Sequence, residues 1–352
     1  MMNYLEWMSR ETKTQWWHDS AIPGEIDEAI KNGASGVTTN PVLTYKAFQS
    51  DPSYWEERVK AIPQDVQGSQ RVEALMKIVA MEAAAKFRDV YERTDAEHGY
   101  ALAQVDPANA GDTKAMLEQG LRYASWAENI AVKLPTVKAA LPVIEELASR
   151  GTPVCTTLNF SVSQAVAASK AYERGVKKAR IKGIRKKPCL IVQQGGRLDD
   201  YLAEVVKDNG SETTITSGDI DHAGNAVCKR SYRLLQEMGT SAVIMPAGLR
   251  GVHHLSAMAG AKMVFSLQTR IQRMVIDADP PKVEMIDEPV NEQAIERLMR
   301  IDEFIRAYEP DRIKEEDFIK FGVTQRTLAQ FLWTGWAPLE QYGAVATIGR
   351  WF

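Results

Sequence analysis

The feature that most limits what this chain can fold into is an alternation: eight short, almost wholly apolar runs separated by longer segments of helical spacing. The runs are Trp16 to Ser20, Gly36 to Asn40, Tyr100 to Val105, Ile130 to Leu134, Pro153 to Phe160, Cys189 to Gln194, Ala242 to Ala247 and Lys262 to Leu267. Continuous apolarity, rather than strict alternation of apolar and polar residues, marks strands buried on both faces, as in parallel sheets covered by crossover helices. The intervening helical patterns span Gly24 to Lys31, Arg71 to Arg93, Thr113 to Asn129, Val137 to Arg150, Val162 to Glu173, Leu198 to Lys207, Ala223 to Gly239 and Gly251 to Ala259. Eight strands alternating with helices is the count of a closed α/β architecture, the (β/α)8 TIM barrel. A doubly wound open sheet is the alternative.

With 352 residues, the chain has room for two ordinary domains or for one barrel of about 250 residues with extensions. The reading taken is a barrel over 1–285, including a short N-terminal helical cap with Leu5 and Met8 on one side, and a helical extension over 286–352 packed on the barrel. That extension comprises a charged amphipathic stretch from Asp287 to Phe318 and an aromatic-rich end, TLAQFLWTGWAPLEQYGAVATIGRWF.

A net charge of −3 excludes binding to polyanions through bulk charge. The basic stretch VKKARIKGIRKK, Val176 to Lys187, has no interleaved aromatic residues for stacking on bases, and reads as a solvated face or loop. Cys155, Cys189 and Cys228 lack zinc-knuckle spacing, and the start MMNYLEWMSR lacks a signal-peptide apolar stretch, so a cytoplasmic location is expected. No run approaches the roughly 18 apolar residues of a membrane span; the best, near Met245, is broken by Pro246, Gly248, Arg250 and two histidines.

In a parallel barrel the active site lies at the C-terminal ends of the strands. Those ends carry Asp19, Asn40, Gln104, Lys133, Thr156 and Thr157, Arg197 and Arg250. Lys133 is the most informative, because its strand, ENIAVKLP, is otherwise apolar. Burial favours the neutral amine, a nucleophile for carbonyls. The competing reading is a rim lysine whose stem snorkels to a structural salt bridge.

Around that lysine the sequence resembles the transaldolase family. GVTTNPVL is similar to that family's second-strand signature, and IAVKLPTVKAALPVIEELASRGTPVCTTLNFSVSQA to its Schiff-base lysine strand, following helix and fifth strand. QQGGRLDDYL and MPAGLRGVHHLSAMAGAKMVFS resemble its two phosphate-binding loops. The resemblance runs from about Trp16 to Gln268 in order, and is less clear beyond Asp287. It implies a cofactor-free and metal-free enzyme, in which Lys133 forms a Schiff base with a ketose and Asp19 exchanges a proton with the C4 hydroxyl as the C3–C4 bond breaks. Thr39, Asn40 and Gln194 would contact the sugar, while Arg197, Arg250 and Gly248 would hold its phosphate. Gly195 and Gly196 would allow close backbone approach by the same anion.

Alternatives stand beside these roles. Asp19 also suits a helix cap, Asn40 a turn before Pro41, and Arg197 and Arg250 pairing with Asp199, Asp200 or glutamate carboxylates. His18, His253 and His254 do not suggest a metal site, since adjacent histidines are expected to point to different sides, and Asp106 and Asp199 read as helix caps. The implied partners are sugar phosphates, with neither nucleic acid nor membrane involved and a homo-oligomer left open; the implied setting is the pentose phosphate pathway.

Departures from the family pattern bear on the outcome. Gln104 stands where most transaldolases have the glutamate that, with a threonine here matched by Thr157, activates a water. The related fructose-6-phosphate aldolases carry a glutamine there, together with a sixth-strand tyrosine that is matched here by Gln194. Val192 and Gly248 replace serines. Transaldolase-type transfer of a dihydroxyacetone unit is therefore expected first, an aldolase-type lyase second, and a non-catalytic sugar-phosphate-binding barrel third.

Overall fold

The apolar runs form eight parallel strands, and the computed structural model describes residues 2–211 and 214–343. They are β1 (Gln15–His18), β2 (Gly36–Val37), β3 (Tyr100–Gln104), β4 (Ile130–Pro135), β5 (Val154–Asn159), β6 (Cys189–Gln193), β7 (Val243–Pro246) and β8 (Val264–Leu267). Each strand pairs in parallel with the next, and β8 returns to pair with β1, so the sheet curls into a barrel closed except for ladder bonds between β7 and β8. Helices flank it in the (β/α)8 arrangement.

Most differences from the sequence reading have local causes. β2 ends at Val37, because Asn40 is already the cap of a helix, Pro41–Ser50, that periodicity did not reveal; a second such helix, Pro52–Lys60, is capped by Asp51. Both have a capping side chain followed by proline in the first turn, a position that needs no donor. The long pattern after Arg71 is two helices, Gly68–Lys86 and Arg88–Arg93, parted at Phe87. The helix from Val162 runs on to Ile181, so the basic stretch is its exposed last turns and the loop that follows. The N-terminal helix Tyr4–Glu11 closes on a capping box between Asn3 and Glu6, and buries Tyr4, Leu5 and Met8.

Strand phase divides the core in two. On β4, Ile130, Val132 and Leu134 face the helices, while Ala131 shares the barrel interior with Trp17, Leu102, Cys155, Leu190, Val192 and Met245. Trp17 fills the interior against Gly36, where an added Cβ would lie 2.3 Å from the indole.

After Asp287 the chain forms the helices Glu292–Leu298, Asp302–Tyr308, Gly322–Phe331 and Ala337–Gln341, with a π-helical segment at Leu332–Trp336. Trp336 and Leu339 pack with Ala47, Phe48 and Trp55, and Gly335 sits so close that a Cβ would lie 2.7 Å from the Val42 backbone nitrogen. Residues 344–352, the close of the aromatic-rich end, lie outside the described residues.

Gly36→Ala forces a methyl into the Trp17 ring, and overpacking of this kind costs about 1–3 kcal/mol. The urea midpoint should fall accordingly; an unchanged midpoint would show that the indole moves aside freely.

Candidate active site

Lys133 has the same phase as Ala131, two residues along β4, so its side chain enters the barrel interior and not the helix-side core. It lies level with Gln104 on β3 and Cys155 on β5, and is 3% exposed. No carboxylate lies within ion-pair distance of its amine among the described residues. Burial pulls the ammonium pKa down, Arg197 adds to the fall, and Cys155 and Asp19 partly oppose it. The snorkelling alternative does not describe this lysine.

Asp19 follows β1 in the same phase as Trp17 and lines the same cavity as Lys133. It is not a helix cap: the next helix, Pro23–Lys31, starts after Ile22, and the hydroxyl of Ser20 accepts the Ile22 N–H. Burial raises the Asp19 carboxyl pKa, while Lys133, Arg197, the Gln268 amide and Lys46 draw it back. The site thus holds a carboxyl and an amine, each pushed by desolvation towards its neutral form.

The cavity measures about 520 Å³ and opens at the C-terminal rim. Arg197 and Arg250 both line it but are held differently. Arg250 forms the ion pair foreseen as an alternative, with Asp200: Nη2 lies 2.5 Å from Oδ2, and Nε lies 3.1 Å from each oxygen. Arg197 donates to the amide oxygen of Gln330, and no carboxylate lies within ion-pair distance of it among the described residues. Burial and the neighbouring Arg250 both lower its pKa.

The remaining predicted residues divide according to phase. Gln104 and Thr157 are buried on the interior phase of β3 and β5, and Gln194 is buried after β6; their Oε1, Oγ1 and Oε1 atoms have no hydrogen-bond partner. Asn40 lines the cavity while its Oδ1 accepts the Leu43 N–H at 3.0 Å, so the cap and the site coincide. Thr39 has the opposite phase and donates to the Leu102 carbonyl; Thr38 lines the cavity instead, bonded to Ser266 at 2.8 Å. Gly248 lines the cavity with φ +62°. Gly195 and Gly196 are closely packed on their Cβ side: a Cβ on Gly196 would lie 2.4 Å from the Gly248 carbonyl oxygen, and one on Gly195 would lie 3.3 Å from Gly224.

His253 and His254 do not point apart: their ring centres are 4.1 Å apart, because Asp199 binds His254 Nε2 at 2.7 Å on the first turn of a short helix. Asp199 caps no helix of its own; it lies within the helix Gly195–Asp208 and accepts the Gly224 N–H in the first turn of the helix Ala223–Glu237. Asp106 does cap, accepting the Ala108 N–H. His18 faces the helices and bonds Gln272. Among the described residues, no three His, Cys, Asp or Glu side chains converge as a metal site.

Sequence reading missed Lys46, Ser266, Gln268, Arg326 and Gln330, all of which line the cavity. The Asn40–Pro41 pair was the available signal for Lys46, since it starts that residue's helix. Nothing local signals Arg326 or Gln330.

Fold and site together define a (β/α)8 barrel with a desolvated amine, a carboxyl and arginines gathered at the C-terminal rim, where such barrels carry their active sites. The chain belongs to the transaldolase/fructose-6-phosphate aldolase family, whose sequence model matches residues 16–320. Similar curated proteins include the transaldolase of Neisseria meningitidis serogroup A, 32% identical over 157 residues, which is 44% of this chain and 45% of that protein. Transaldolase 2 of Nostoc punctiforme is 30% identical over 180 residues, which is 50% of this chain and 46% of that protein. The chain spans about half the length of the curated relatives it matches.

Replacing the desolvated amine by an apolar chain of similar length should stabilise the fold. Lys133→Met is expected to raise unfolding stability by roughly 0.5–2 kcal/mol at neutral pH. Because the folded pKa lies below the unfolded one, wild type carries the penalty at low pH and loses it as pH rises towards about 10.4, so the gap between the two proteins should narrow along that path. Urea denaturation at several pH values checks this; equal stability at pH 7 would mean that the ammonium costs nothing where it sits.

Proposed function

We propose that this protein transfers a three-carbon dihydroxyacetone unit from a phosphorylated ketose to an aldose phosphate through a Schiff base on Lys133. The observation that carries the reading is the desolvated Lys133 amine in one cavity with Asp19 and Arg197. The neutral amine adds to the ketose carbonyl, and loss of water leaves an iminium that withdraws electrons. Asp19 takes the C4 hydroxyl proton, the C3–C4 bond breaks, and an aldehyde departs from the enamine. Attack of the enamine on a second aldehyde, with the proton returned by Asp19, followed by hydrolysis, completes the transfer. Gln104 and Thr157, buried and unpartnered, are suited to hold the water of the hydration steps. A pentose phosphate setting and a cytoplasmic location belong to the same proposal; the three buried, free cysteines suit a reducing compartment.

A second reading, release of free dihydroxyacetone by a lyase, is favoured by Gln104, the residue type that the related fructose-6-phosphate aldolases carry there, whereas Gln194, in place of their tyrosine, does not support it. Both readings share every step up to the enamine.

Sodium borohydride reduction with dihydroxyacetone or fructose 6-phosphate, followed by mass mapping, tests the shared part. The expected result is an adduct on Lys133 that is absent in Lys133→Ala and retained with dihydroxyacetone in Asp19→Asn, whose cleavage rate should fall about 10²- to 10⁴-fold. Wild-type protein without an adduct on Lys133 would falsify the Schiff-base reading. Comparing free dihydroxyacetone with transfer to erythrose 4-phosphate then separates lyase from transferase.

A further inference from the structure

The helix Gly322–Phe331 begins just beyond the stretch matched by the family, which ends at residue 320, yet it supplies Val323, Arg326, Thr327, Gln330 and Phe331 to the cavity mouth. Its placement is tightly bounded. At one end, a Cβ on Gly322 would lie 2.3 Å from the Tyr201 hydroxyl; beyond the other end, Gly335 contacts the backbone of Pro41 and Val42.

This helix brings a third arginine to the anion end of the cavity, and the three guanidinium groups are not equivalent. Arg250 is ion-paired with Asp200, and Arg326 with Glu204 through contacts of 2.5 and 2.7 Å. Arg197 has only neutral partners from the extension: the Gln330 amide oxygen, to which Nη1 donates, and the Phe331 ring, whose centre lies 5.9 Å from its guanidinium carbon. An amide oxygen and an aromatic face orient a guanidinium without cancelling its charge, whereas a carboxylate at the same place would cancel it.

We propose that Gln330 and Phe331 are positioning residues that hold the Arg197 guanidinium without a carboxylate ion pair, and so make it the group that reads the terminal phosphate of the substrate. The C-terminal extension thereby sets the specificity of the site for phosphorylated over neutral sugars. This rests on the sugar-phosphate reading above for the rest of the ligand. Asp200 and Glu204 engage the two other arginines, so among the described residues Arg197 is the lining arginine left without a carboxylate ion pair, beside the amines of Lys46 and Lys133.

Inorganic phosphate, titrated by calorimetry into wild type, Gln330→Ala, Gln330→Glu and Phe331→Leu, tests the charge argument directly. In Gln330→Glu, phosphate affinity should fall at least about tenfold and KM for fructose 6-phosphate rise by the same factor, with kcat within about twofold. Gln330→Ala and Phe331→Leu, which loosen Arg197 without neutralising it, should weaken phosphate about two- to fivefold. Borohydride trapping of dihydroxyacetone, which has no phosphate, should hold within about twofold in all variants. Unchanged phosphate affinity in Gln330→Glu overturns the proposal, as does a parallel loss of dihydroxyacetone trapping, which would mean general damage to the rim. If wild type traps nothing on Lys133, the Schiff-base reading fails alone, and the phosphate comparison still decides the role of Gln330.

Discussion

The desolvation of one amine by strand phase is the constraint on which the site depends. A residue on a strand faces the side opposite to its neighbours, so the outward packing of Ile130, Val132 and Leu134 against the helices obliges Lys133 to face inward. A one-residue slip of β4 would exchange these faces, placing the ammonium in the helix-side core and three large aliphatic side chains inside the barrel. The inward position of the amine is therefore held by residues that pack on the helix side of the strand. Its ladder neighbours add little charge: Gln104 is neutral, and burial pushes the Cys155 thiol up to about 12.

Electrostatic economy follows the same pattern at the rim. Among the described residues only two carboxylates line the cavity, and one of them, Asp200, is committed to Arg250. Asp19 is left as the one carboxylate of the lining not tied to an arginine, and proton transfer in the proposed reaction converges on it. Around it stand amides, Gln194, Gln268 and Gln330 in the lining and Gln104 beside Lys133, which direct hydrogen bonds without adding charge. A site built this way keeps the cationic character of Arg197 and the neutral tendency of Lys133 together within one small volume, because among the described residues no further acid lines the cavity to pair with either.

The barrel was legible because eight apolar runs and their spacing are local properties, and the rim residues were legible because strand ends follow from the runs. Thr39 was not, because assigning a face needs the exact end of β2, and the Asn40 cap ends that strand at Val37. The pairing of Arg250 with Asp200 was open in the sequence and is decided by the packing of Gly196 beneath the Gly248 carbonyl and the Arg250 stem, which brings the two loops together. The helix bearing Lys46 announced itself only by a cap and a proline. Gln330 could not be placed at all, since nothing local in an amphipathic C-terminal segment says which end of a barrel it will cross.

What decides that crossing is a contact made by the absence of a side chain. Gly335 meets the backbone of Pro41 and Val42, at the start of the helix that carries Leu43 and Lys46 to the cavity. Any larger residue there would push the two segments apart. The π-helical segment holding Gly335 continues directly from the helix of Gln330, so seating the glycine on Pro41 also seats Gln330 on Arg197. Asn40, just before Pro41, lines the cavity as it caps the braced helix. One small contact thus couples the Asn40 side of the rim to its Arg197 side, so movement of the extension at Gly335 would be felt at both.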